Sequence, residues 1–132
     1  MSDKRQHIFG KSNGHCWYCG DDLRGRKWHA DHFHTVKRYN GELTHPERDV
    51  IENLVPSCPR CNIMKDTGDI EYLRWLIGNF IKRLNRDITV YRHAKRYGLV
   101  EETGKEVKFY FEKHGLEVEY KEVNEDASET QI

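Results

Sequence analysis

The stretch KWHADHFHTVKR, Lys27 to Arg38, sets the reading of this chain. His29, Asp31, His32 and His34 fall close together in it, and Lys37 and Arg38 follow. Imidazole titrates near neutrality and can move a proton, while a carboxylate offers a hard oxygen to a divalent cation. The alternation of KWHADHF suits a strand. The stretch is either a metal-dependent active site or a polar strand rich in histidine, and its flanks have to decide.

On either side lies a pair of cysteines, Cys16 with Cys19 and Cys58 with Cys61, each spaced C-x-x-C. One such turn presents two thiolates to one ion, and two turns complete a tetrahedral four-sulfur site, for which zinc is the usual metal. Disulfides suit an oxidising compartment, and the N-terminal segment carries no apolar signal stretch. A redox motif needs one pair in a βαβ setting. Structural zinc is the reading that uses all four sulfurs. The 38 residues between Cys19 and Cys58 exceed the spacing of a plain zinc ribbon, so the ion clips the ends of an inserted element. With a small core, zinc is expected to supply much of the folding free energy.

Further along, IENLVPSCPRCNIMK reads as a short strand, a metal knuckle and a helix start. KRYNGELTHPERD reads as a polar loop broken by NG and HP. From Asp69, a plausible N-cap, apolar residues from Ile70 to Leu84 recur mostly at steps of three and four, an amphipathic helix. A second helix is expected within DITVYRHAKRYG, ended by Gly98. EVKFYFEKHG and LEVEYKEV alternate as strands.

Composition narrows the class. Of the 132 residues, 36% are hydrophobic and 33% charged, and no apolar run is long enough to span a membrane. The expected location is intracellular, the cytoplasm of a bacterium or of a phage-infected host. The net charge of zero hides an asymmetry. Residues 1–98 carry 18 Lys/Arg against 12 Asp/Glu, and residues 99–132 carry 4 against 10. A basic body with an acidic tail fits nucleic-acid contact as well as it fits two solvated faces.

Taken in order, Cys16-x-x-Cys19, Asp31-His32, Asn53-Leu54 and Cys58-x-x-Cys61-Asn62-x-x-Lys65 resemble the HNH nuclease family with its ββα-metal fold. The resemblance covers about residues 6–80. It implies an α+β fold, a small zinc-stapled ββα-metal core with C-terminal helices and a short β element. With the C-terminal pattern read above, the chain is expected to divide into a nuclease domain at 1–86, a helix and strand extension at 87–123, and a disordered acidic tail at 124–132. By resemblance Asp31 and Asn62 hold a catalytic magnesium or manganese ion, His32 is the general base, and Asn53 bonds loop backbone and orients that base. Lys37, Arg38, Lys65, His29 and His34 are the candidates for contact with nucleic acid. The sequence departs from the commonest family pattern at Asn62, usually His, at Thr35, often Pro, and at Asp66, often Gly.

The implied activity is metal-dependent hydrolysis of DNA phosphodiester bonds. HADHFH, the four cysteines, Asn62 and EYLRWL are also similar to the endonuclease VII family of junction-resolving dimers, so branched DNA and a homodimer are the narrower alternative. A zinc module that only binds nucleic acid would keep the knuckles but need none of Asp31, His32, Asn53 or Asn62.

Overall fold

The computed structural model describes residues 1–122. The expected tail at 124–132 lies outside the described residues. Chain order is α1 (Asp3–Gly10), β1 (His29–His32), β2 (Arg38–Tyr39), β3 (Glu42–Leu43), β4 (Leu54–Ser57), α2 (Pro59–Lys65), α3 (Ile70–Gly78), α4 (Phe80–Asp87), α5 (Thr89–Arg96) and α6 (Tyr110–Lys113). The α+β reading holds.

The first knuckle follows α1. Its chain reverses at Gly20, with φ +84, where an added Cβ would sit 2.9 Å from the Tyr110 ring. Glycine is needed there for both the left-handed turn and the close approach. The chain then enters β1, which pairs antiparallel with β4, Asp31 opposite Val55 and His32 opposite Leu54. All of β4 is buried, so this two-stranded ribbon runs through the middle of the core. In the connection between the two strands, the loop read from KRYNGELTHPERD contains a small hairpin. There β2 pairs with β3 across Asn40 and Gly41, both at positive φ. Asn-Gly is the sequence such a two-residue turn favours.

Cys58 caps α2 with its sulfur, which accepts from the Cys61 N–H at 3.3 Å, and Pro59 occupies the first turn, where its missing N–H costs nothing. Asp69 caps α3 as expected, accepting from the Tyr72 N–H at 2.8 Å. The helix expected from Ile70 to Leu84 is instead two helices that meet at Asn79. The Asn79 side chain donates to the Trp75 carbonyl at 2.7 Å, an alternative to helical backbone pairing that suits a junction. α5 ends ahead of Gly98, at φ +74.

The expected C-terminal strands do not form among the described residues; α6 is the only regular element after α5. The aromatic run folds back on the first knuckle instead. The N–H groups of Tyr110 and Phe111 donate to the carbonyls of Tyr18 and Trp17, at 2.9 and 3.1 Å. Phe111 stacks on Trp17 with ring centroids 5.5 Å apart, and Phe109 is buried. Alternation made these residues look like strands, but the apolar surface they cover is the knuckle. Residues 107–118 thus pack on the same core as α1, the ribbon and α3.

Candidate functional site

The four sulfurs of Cys16, Cys19, Cys58 and Cys61 all lie within 4.8 Å of one another. Backbone N–H groups already point at sulfur, from Cys58 to Cys16 at 3.4 Å and from Asp21 to Cys19 at 3.5 Å. Hydrogen bonds from Cys19 and Cys61 draw the Cys16 thiol far below its usual range. Its bonds to Cys16 push Cys19 up to about 12, and the same contact pushes Cys61 up as well. Several thiolates at this separation repel unless a cation replaces their protons. The donor set fits zinc.

The ribbon positions the second site. Neighbouring residues of a strand point to opposite faces, and here Asp31 is buried while His32 is half-exposed. The end of β1 nonetheless brings both to one cleft of about 210 Å³, together with Thr35, Val36, Lys37, Arg38, Asp66 and Thr67. Burial raises the Asp31 pKa, opposed chiefly by the nearby Lys65 cation. Asp31 Oδ2 accepts from the Tyr18 hydroxyl at 2.5 Å and lies 3.3 Å from Lys65 Nζ. Among the described residues Oδ1 takes no hydrogen bond.

His32 Nε2 lies 2.9 Å from Asp49 Oδ1. The carboxylate only accepts, so Nε2 carries the proton in this contact. The hydrogen bond from His32 holds Asp49 below its usual carboxylate range. Fully buried Asn53 ties the turn after β1. Its Oδ1 accepts from the His34 N–H at 2.9 Å, and its Nδ2 donates to the His34 and Arg48 carbonyls, both at 2.8 Å.

The other sequence candidates divide. Lys37 and Arg38 are exposed on the cleft. Lys65 is not a surface cation: it is fully buried, pairs with Asp31 and donates to the His32 carbonyl at 2.9 Å. The phosphate contact expected of it gives way to an internal bond, because the turn from Asn62 to Lys65 points the lysine back under the ribbon. His29 is half-buried at the start of β1, opposite Ser57, and does not line the cleft. His34 also lies off the cleft, with Nδ1 3.7 Å from Glu122 and its ring beside Tyr120. Asn62 is half-buried in the first part of α2 and is not among the cleft-lining residues. Sequence reasoning missed Asp49 as a partner of His32 and Asp66 as a cleft carboxylate. Asp49 lies in a polar loop with no motif around it. Asp66 did carry a signal: it stands where the related pattern often has glycine, and it adopts φ +47.

Residues 16–68 match the family model described as HNH endonuclease. The matched segment contains the four clustered cysteines, the ribbon and the cleft. Neither comparison with curated proteins nor comparison with solved structures finds a match. Among the described residues no helix is long and apolar enough to cross a membrane.

Proposed function

We propose that this protein is a divalent-metal-dependent endonuclease that hydrolyses phosphodiester bonds of DNA. The observation that carries the reading is the shared cleft of Asp31, His32, Lys37 and Arg38. An acid with one oxygen that takes no hydrogen bond, a base and two cations line that cleft together.

With Nε2 donating to Asp49, His32 turns its other ring nitrogen, Nδ1, to take a proton from the attacking water. Asn53 fixes the backbone after β1, which sets the direction of the His32 ring. Lys37 and Arg38 receive the phosphate flanks. Asp31 Oδ1 would hold magnesium or manganese, which prefer such hard oxygens; the resemblance gives Asn62 as the second ligand, although its side chain does not line the cleft. The cation would supply charge stabilisation at the scissile phosphate and the leaving oxygen.

The test is conversion of supercoiled plasmid to nicked or linear forms by zinc-loaded protein with added magnesium or manganese. Wild type should convert it and His32→Ala should not. Branched DNA is the next substrate if plasmid is inert. Equal behaviour of wild type and His32→Ala on both substrates, with both proteins folded, removes the reading in favour of a zinc module that only binds.

A further inference from the structure

The hairpin of α4 and α5 takes no part in the cleft and contributes no fully buried residue. From Phe80 to Gly98 it carries six Lys/Arg against the single acid Asp87. So large an excess on exposed helices repels itself unless a polyanion answers it.

The hairpin is nevertheless stiff. The Glu102 carboxylate braces its inner side, accepting from Asn85 Nδ2 and the Tyr91 hydroxyl and pairing with Lys95 Nζ, each at 2.8 Å. On the outer side Thr89, Arg92, His93 and Arg96 are all exposed and follow the spacing i, i+3, i+4, i+7, one stripe along α5. Arg92 is pre-ordered by donating to the Asn85 and Arg86 carbonyls, at 2.6 and 3.0 Å, and to Thr89 Oγ1 at 3.0 Å. Arg96 lies 3.0 Å from His93 Nδ1. The ion pairs of the hairpin are Arg86 with Asp87 and Lys95 with Glu102. Among the described residues Lys82, Arg83, Arg92 and Arg96 have no acidic partner. Arg92 and Arg96 stand about 6 Å apart along the helix axis, at about 1.5 Å per residue.

We propose that the α4–α5 hairpin is a second nucleic-acid contact, in which Arg92 and Arg96, with Lys82 and Arg83, grip the phosphate backbone of duplex DNA. The choice of DNA as the polyanion rests on the nuclease reading above. The guanidinium groups of the α5 stripe, with Lys82 and Arg83 on α4, would neutralise phosphates without reading bases, so the contact adds affinity and salt dependence and no sequence preference. The competing occupant is a second copy of the chain, seated on the groove that Phe80, Arg83, Leu84 and Asp87 of α4 line with Ile88 at its end.

The experiment is binding of the full zinc-loaded chain to a labelled duplex, without added magnesium or manganese, across a salt series. The variants are Arg92→Gln with Arg96→Gln, and separately Lys82→Gln with Arg83→Gln; the second pair makes no side-chain hydrogen bond among the described residues, so it tests the contact without removing the Arg92 bonds to the α4 carbonyls. Lys105→Gln with Lys113→Gln is the charge-matched control. Each hairpin variant should lose roughly tenfold to sixtyfold in affinity at about 0.1 M salt, and the slope of log K against log salt should fall by about two. The control should stay within about twofold of wild type. Unchanged affinity and slope in both hairpin variants would overturn the proposal, as would a wild type that does not bind duplex. So would hairpin variants that turn a dimer into a monomer with the slope unchanged, the result a second copy predicts. Loss of duplex binding in the variants alongside a wild type that never cuts would sink the nuclease reading and leave this contact standing.

Discussion

Lys65 Nζ lies 3.3 Å from Asp31 Oδ2, inside the core, while donating to the carbonyl of His32 at 2.9 Å. One buried ammonium therefore compensates the buried carboxylate and fixes the backbone of the residue that bears the candidate base. Removing one partner of such a pair leaves an uncompensated charge, which costs about 3–5 kcal/mol. Lys65→Met should lower denaturant stability of the zinc-loaded protein on that scale. Lys65→Met with Asp31→Asn should recover part of the loss, because neither charge then remains buried. A double variant as unstable as the sum of its two single variants would show that the pair does not interact.

The contact between His32 and Asp49 should appear in catalysis and hardly at all in folding. Asp49 is more than half exposed, so Asp49→Asn should leave the melting temperature near wild type. Its cleavage rate should fall roughly ten- to a hundredfold, the usual cost of losing a group that orients a functional side chain. His32→Ala should lose more, about a hundred- to ten-thousandfold. Equal losses in both variants would place Asp49 in the reaction itself.

Truncation separates two roles of the C-terminal third. A chain ending at residue 98 lacks Phe109 and Phe111 and should not fold, since losing buried Phe109 alone costs about 3–5 kcal/mol. A chain ending at Val118 keeps both aromatics. It loses Glu122, whose carboxylate lies 2.5 Å from Arg48 Nη2, and the acids beyond. It should fold and bind DNA more tightly, because a carboxylate no longer competes with phosphate for that guanidinium. Affinity equal to full length, measured by titration of labelled duplex, would remove the competition.

The brace under the α4–α5 hairpin should respond to acid. Hydrogen bonds, that from Lys95 first, hold Glu102 down at about 2, against 4.5 for a free glutamate. A carboxylate with a depressed folded pKa stabilises the fold above its unfolded pKa and loses that contribution as pH falls through the folded one. The stability difference between wild type and Glu102→Gln should thus be constant above about pH 5 and shrink between 4.5 and about 2. Thermal melts followed by helix signal at stepped pH give the difference. A difference that does not change with pH would mean that Glu102 acts through its shape alone.

The sequence alone determined the parts whose chemistry is local. Two C-x-x-C turns can bring four sulfurs together because each turn presets one half of a tetrahedron, and the four do meet within 4.8 Å. Asp69 and Gly98 mark helix ends because caps act over one turn. Asp31-His32 read as a site through its order among other motifs, and the end of β1 does turn both residues to one cleft. Only the tertiary structure decided the rest. Whether Lys65 reaches solvent depends on where α2 lies under the ribbon, and no local spacing encodes that. Asp49 meets His32 across 17 positions of irregular loop. The run from Phe109 to Phe111 has strand-like alternation, but its partner is the aromatic surface of the first knuckle, so long-range burial overrides the local preference.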